Sequence, residues 1–397
     1  MPSIKPILII AGCVALPSFA SQSVQILDTP DYAWHAGCFG TASGNLMGYW
    51  DRHGFPNFYT GPTGGGVAPL DAYGANVGIH SLWTSQAGLD GRPMDKPGHI
   101  DDYWTFFNGD NYSYESTATD PYVTAGRAEH PPDSICDFMG SSKNAWTDLD
   151  GECDGNIDAY SFNFWDKQGG RRVNFTPPNN IADIQSGWRG WTEWRTNKAD
   201  TFSQLVDFNP DKAAGTGFTF EDLKAEINAG YPVMLFLQNY GEFSRPLSGM
   251  SRANPMVHGM IAYGYVELDN GTKMVRYRTS WGSGDQRYGY WRPDLFEGIL
   301  ALRGVIGYRP LPQIKFVMPS ANGLDVKWDG PSTTLRDDLS GIETAVHWYV
   351  VEKATTLAPN SFTAVSEPST NLNATISAPT DANTFYRVRL VDPPSAQ

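Results

Sequence analysis

Apolar positions recur at helical spacing after Cys38: Ala42, Leu46, Tyr49 and Trp50 share one face, and Gly54 follows His53 as a stop. That pattern predicts a helix from Cys38 to about His53. A second helix is predicted over 183–196. A third is predicted over Phe220–Asn228, with Thr219 as N-cap, Asp222 at N3 and Gly230 as stop. Apolar runs bounded by turn residues then predict strands at Pro232–Leu237, Val257–Tyr265, Met274–Thr279 and Tyr288–Trp291. Loops and short elements fill 55–180. A helix first and an antiparallel sheet late make an α+β arrangement.

The pattern changes at Tyr308-Arg309-Pro310-Leu311-Pro312, where the main seam is placed. Beyond it, short strands are predicted at Ile314–Met318, Leu324–Trp328, Val346–Lys353, Phe362–Val365, Leu372–Ile376 and Phe385–Val391. Strands of this length between turn residues read as an all-β sandwich. The expected organisation is therefore a larger domain over 21–311 and a sandwich over 312–397. The segments Leu324-Asp325-Val326-Lys327-Trp328 and Phe385-Tyr386-Arg387-Val388-Arg389-Leu390 resemble the early Trp strand and late Tyr strand of fibronectin type III domains. The resemblance implies a binding or spacing module.

The chain has 397 residues and a net charge of −14. That charge repels phosphate backbones and anionic lipid, so nucleic-acid and membrane-surface partners are disfavoured. Lys5 is the sole charge among the first 27 residues, and an apolar run Ile7–Leu16 follows it. Ser18 and Ala20 are small residues at the −3 and −1 positions of a cleavage site, so 1–20 reads as a signal peptide. The alternative is a lipid anchor at Cys13, because Ile10-Ala11-Gly12-Cys13 resembles a lipobox. The expectation is an exported (secreted or periplasmic) chain, soluble after signal removal and monomeric.

Signal removal leaves Cys38, Cys136 and Cys153. In an oxidising compartment two should pair. Cys136 and Cys153 share a polar, loop-rich stretch, and their disulfide would contribute about 3 kcal/mol. Cys38 is then the remaining thiol. It lies where Ala36-Gly37-Cys38-Phe39-Gly40-Thr41-Ala42 passes from loop into helix, and the positive end of the helix dipole favours thiolate. Gly40, Gly44 and Gly48 leave one helix face bare for close approach of another backbone. His258 lies on an apolar strand, and Gly259 leaves room beside its ring. A neutral imidazole within reach of Cys38 would draw the thiol proton and give a thiolate–imidazolium pair. The next strand, ending in Thr279-Ser280-Trp281-Gly282, would orient the other ring nitrogen.

These residues resemble papain-like cysteine peptidases, in particular the bacterial C39-like group. The likeness is carried by Gly37–Ala42 with Leu46–Asp51, by Ala229-Gly230-Tyr231-Pro232-Val233, by His258-Gly259 with Ala262–Tyr265, and by Ser280-Trp281-Gly282. It implies a papain-like fold, with Cys38 as nucleophile, His258 as base and acid, and the Cys38 N–H as half of the oxyanion hole. Two positions depart from the family pattern. Thr279 stands where the family has Asn or Asp, and brings a hydroxyl without charge. Tyr32 stands where the family has the Gln that completes the oxyanion hole; its phenol, Trp34 or His35 would have to substitute.

His35 reads as a surface histidine before the helix. His99, Asp101 and Asp102 read as a capped turn rather than a metal site. Asp148, Asp150 and Asp154 alternate with glycines, which suits calcium in an extracellular loop, although the spacing is not a full binding loop; a solvated acidic loop is the competing reading. No zinc motif is present and no cofactor is required. Trp188, Trp191 and Trp194 read as a core stripe before a stacking platform. The functional expectation is an exported cysteine peptidase, a hydrolase acting on peptide or protein through an acyl-enzyme, with transfer to an amine as a close variant. The alternative is a degraded papain-like homologue acting as an extracellular binding or adhesion protein.

Overall fold

The computed structural model describes residues 22–33, 38–59, 66–72, 105–108, 111–114, 134–139, 163, 165–177, 183–209, 213–239, 257–281, 287–293, 295–297, 300–379 and 383–394. Residues 1–20, expected to be a signal peptide and including Cys13, lie outside the described residues, as do Trp34, His35, His99, Asp101, Asp102, Asp148, Asp150, Asp154 and Cys153.

Four helices are described: α1 (Cys38–Arg52), α2 (Ile135–Met139), α3 (Ile184–Trp194) and α4 (Phe220–Asn228). The strands of the larger part are β1 (Gln22–Ile26), β2 (Asp31–Tyr32), β3 (Asp71–Ala72), β4 (Thr105–Asn108), β5 (Asn111–Tyr114), β6 (Arg172–Val173), β7 (Ala199–Leu205), β8 (Val233–Asn239), β9 (Val257–Glu267), β10 (Lys273–Arg278), β11 (Arg287–Tyr290), β12 (Leu295–Glu297) and β13 (Leu300–Pro310). After them come β14 (Gln313–Ser320), β15 (Gly323–Asp329), β16 (Thr334–Asp337), β17 (Glu343–Ala345), β18 (Trp348–Ala354), β19 (Thr363–Ala364), β20 (Asn373–Ile376) and β21 (Phe385–Val391). The α+β class holds, with a β-rich C-terminal part.

Local chemistry explains the helix boundaries. Asp183 accepts from the Ser186 N–H and Thr219 from the Asp222 N–H, each closing a reciprocal capping box. Gly230 and Gly54 end α4 and α1 with positive φ, at +84° and +103°. α1 is buried along nearly its whole length, from Phe39 to Asp51. Its polar positions survive there because each is partnered. Ser43 accepts from Trp188 Nε1 at 2.9 Å, Asn45 accepts from the Tyr32 N–H at 2.8 Å, and Asp51 accepts from the N–H groups of Tyr59 and Ala68. Trp188 and Trp191 are core residues, as expected, whereas Trp194 is exposed and does not belong to the core stripe.

One large antiparallel sheet runs in the order β17-β16-β1-β9-β8-β13-β7-β6, with β10 and β11 added on β9 and β12 on β13. β9 is its hub. It pairs with β8 through 257–262, with β1 through 264–267 and with β10 through 261–267. β13 runs straight into the expected seam at Tyr308–Pro312, and only Leu311 and Pro312 separate it from β14.

All six strands expected after the seam are present. They form two three-stranded sheets, β14-β15-β20 and β19-β18-β21, over a small second core of Val326, Trp328, Tyr349, Val351 and Ile376. β16 and β17 lie elsewhere. They leave this part and extend the large sheet, with Val24 opposite Asp337 and Ile26 opposite Leu335. Asp338 joins them to the main body by accepting from Ser23 Oγ at 2.9 Å and pairing with Arg276 at 2.6 Å. The stretch 330–347 also docks on the end of α1. Gly330 donates to the Gly54 carbonyl, His53 Nδ1 meets the Ser332 carbonyl, Tyr49 bonds the Thr333 hydroxyl, and Thr333 donates to the Gly230 carbonyl. Gly54 is fixed by this contact, since a Cβ there would lie 1.9 Å from the Gly330 oxygen.

Candidate functional site

Cys38 is the first residue of α1 and half-buried against the main core. Its thiol lies in hydrogen-bond reach of the backbone amides of Cys38, Phe39 and Gly259. Helix start and hub strand therefore meet at the sulfur, and the residue beside Gly259 is His258. The start of α1 is thus brought to the strand that carries His258. A close approach is made at Gly259. A Cβ at Gly259 would sit 2.5 Å from Phe39 Cδ1, and the Phe39 ring packs on Phe236 at 4.9 Å. Phe236 is the cross-strand partner of Gly259. The room left by Gly259 is thus filled by Phe39. On the helix face, Gly48 receives the Tyr32 phenol, whose oxygen would lie 2.3 Å from an added Cβ.

His258 is 2% exposed. Its Nε2 lies 2.6 Å from the backbone carbonyl of Thr279. A carbonyl only accepts, so in the neutral ring the proton is on Nε2 and Nδ1 keeps its lone pair. This corrects the role expected for the Thr279 side chain. Its hydroxyl accepts from the Trp281 N–H at 3.1 Å instead. The group that orients His258 comes from the main chain, so it does not depend on the side chain at position 279. Ser280 adopts a left-handed φ of +59°. That turn throws Trp281 over the imidazole, stacked at 4.6 Å with planes 10° apart. Trp281 remains half exposed, so it covers the His258–Thr279 bond from solvent.

Burial sets the electrostatics. It pushes the Cys38 thiol up to about 11, against the lowering effect of the three amides, and draws His258 down to about 4, against the Thr279 carbonyl. Both groups are neutral at pH 7 in this resting structure. The helix terminus favours thiolate, as expected from the sequence, but the loss of solvent outweighs it.

Tyr32 is not placed as an oxyanion donor. It is fully buried, its hydroxyl donates to the Pro69 carbonyl at 2.8 Å, and it packs at Gly48. Ten residues separate Gly48 from Cys38, roughly 15 Å along the helix axis. Cys136 is a core residue of α2; no disulfide occurs among the described residues, and its expected partner Cys153 is outside them. Among the described residues no group of three or more His, Cys, Asp or Glu side chains is gathered for a metal. Sequence reasoning missed the buried Arg303–Gln238 pair that links β13 to β8. An arginine inside an apolar run, Leu300–Ile306, was the available signal. Compared with protein-family models, with curated proteins and with solved structures, the chain matches none.

Proposed function

We propose that this chain is an exported thiol-dependent peptide or amide hydrolase, a papain-like cysteine peptidase of C39-like type carrying a fibronectin-like C-terminal module. The observation that supports it most is the meeting of Cys38 with Gly259 beside an imidazole whose Nε2 is already fixed by the Thr279 carbonyl. His258 Nδ1 is then the base. It takes the thiol proton as the sulfur–carbon bond forms, so a resting ion pair is not needed. The proton passes to the leaving nitrogen as the carbon–nitrogen bond breaks. Water, activated by the same nitrogen, hydrolyses the thioester and restores the thiol. The Cys38 N–H, at the helix start, is the oxyanion donor in this reading. Neutral resting groups suit a site that ionises only on the reaction path.

A second reading is a binding protein on the same scaffold. It is favoured by the absence of a charged orienting group at Thr279 and by the spent phenol of Tyr32.

Alkylation of Cys38 by iodoacetamide, followed from pH 5 to 11 in the full chain and in His258→Ala, separates them. At pH 7 an unassisted thiol held near 11 reacts roughly three-hundredfold more slowly than a free cysteine near 8.5. Base assistance predicts a rate above that floor, falling back to it in His258→Ala. Equal rates in the two proteins at every pH would overturn the hydrolase reading.

A further inference from the structure

The docking of 330–347 on α1 turns on a histidine that acts as an acceptor. His347 is 5% exposed, and its Nδ1 receives the Thr333 N–H at 3.2 Å. The ring proton must therefore be on Nε2, which is turned toward the Ala229 carbonyl without closing a full hydrogen bond. Thr333 is the centre of the joint. Its hydroxyl bridges Tyr49 of α1 and the Gly230 carbonyl, and its carbonyl accepts from the Val346 N–H. Protonating His347 at Nδ1 sets donor against donor across the Thr333 amide. It also places a charge in a buried site.

The groups that face it do little to compensate. α1 presents His53, stacked on Tyr49 at 4.3 Å, with Arg52 beside it. The β1–β2 turn presents Asp28, on the His53 side. The segment before β8 presents Tyr231, edge-on to the His347 ring at 5.2 Å, and Glu226 and Arg309 act on Tyr231. β18 presents Tyr349, whose hydroxyl bonds the Pro331 carbonyl. Among these, the carboxylates address His53 and Tyr231, while His53 adds a like charge when it titrates.

We propose that His347 is the pin of an acid-released latch: its protonation ejects the Thr333 amide and frees the 330–347 segment from the end of α1. The latch is closed at neutral pH and opens on acidification. It is independent of the thiol chemistry, although it acts on the far end of the helix that begins at Cys38.

Burial supports the direction, because it holds the His347 imidazole down at about 4. With an ordinary value of 6.5 in the open segment, lowering the pH from 7.0 to 4.5 raises the opening constant roughly fifty-fold. The test is amide exchange of Thr333 and Val346 in the full chain at both pH values, corrected for the intrinsic pH dependence of exchange. The native protein should lose protection by about that factor. In His347→Gln the side-chain oxygen accepts the same N–H and does not titrate, so protection should fall only a few-fold. Unchanged protection in the native protein, or an equal loss in the variant, overturns the latch. If the variant has already lost the joint at pH 7.0, nitrogen-15 titration of the native histidines decides. His347 protonating below pH 5 together with the exchange change supports the latch, and protonation near 6.5 overturns it.

Discussion

Gly259→Ala is the sharpest probe of how the site is assembled. The added Cβ would start 2.5 Å from Phe39 Cδ1 and 2.9 Å from Cε1, about 1 Å inside ordinary contact. Phe39 cannot swing away. It is 4% exposed and pressed on Phe236, which Trp165 holds edge-on at 5.3 Å. The clash must therefore move the start of α1 off β9, at a cost of about 1–3 kcal/mol for overpacking. That movement also withdraws the Gly259 amide from the Cys38 thiol. Urea unfolding measures the first effect, and the pH profile of Cys38 alkylation measures the second. Phe39→Ala removes the obstacle, so Gly259→Ala should cost much less in that background, with a coupling energy of roughly 1–3 kcal/mol. Additive losses in the double variant, or a Gly259→Ala protein as stable as the parent, would refute the account of this contact.

Acidification should destabilise the chain through its buried histidines. His258 and His347, held near 4 when folded, bind fewer protons than the unfolded chain between pH 6.5 and 4. Stability therefore rises with pH across that window, and up to about 3 kcal/mol per histidine is lost on descending it; urea unfolding at pH 7.0 and 4.5 checks this, with His347→Gln expected to flatten the difference. Asp338→Ala leaves Arg276, whose side chain is 8% exposed, without its carboxylate. Breaking a buried pair costs 3–5 kcal/mol, so with Asp338 20% exposed a loss of about 2–3 kcal/mol is expected by denaturant titration. Thr279→Val removes the bond to the Trp281 N–H but leaves the carbonyl that holds His258. It should cost about 1 kcal/mol in stability, while base-assisted alkylation of Cys38 changes less than about fivefold. A loss as large as that of His258→Ala would return the orienting role to the side chain.

Much of the site was legible because its signals are local. Thr219 with Asp222, the glycines at 54 and 230, and the helical period after Cys38 mark boundaries that depend on nearby chain alone. The strand carrying His258 and the turn at Thr279–Trp281 were found for the same reason. What was missed needs the third dimension. β13 is buried along its length and carries Gly304 and Gly307 where Trp165 and Phe202 press on the backbone, so it has no two-residue alternation to read. β16 and β17 are short and polar, and no local feature says that they leave the C-terminal sheets to join β1. The carbonyl of Thr279 is common to every residue type, so no side-chain pattern could reveal it. The burial that keeps Cys38 and His258 neutral is likewise a property of the surroundings rather than of either residue.

The position of β1 has a consequence for the order in which this protein can be made. β1 is synthesised well before both of its neighbours, β9 and β16. The second side of β1 cannot be covered until the chain through Asp337 has been synthesised. Before β9 is made β1 presents two unpaired edges, and from then until β16 follows it presents one, so the stretch Gln22–Ile26 must wait without pairing wrongly. The sheet therefore closes as a late, long-range event, after the local helices have formed. A truncation that reaches β16 therefore uncovers β1 and the large sheet, and does more than remove the C-terminal sheets.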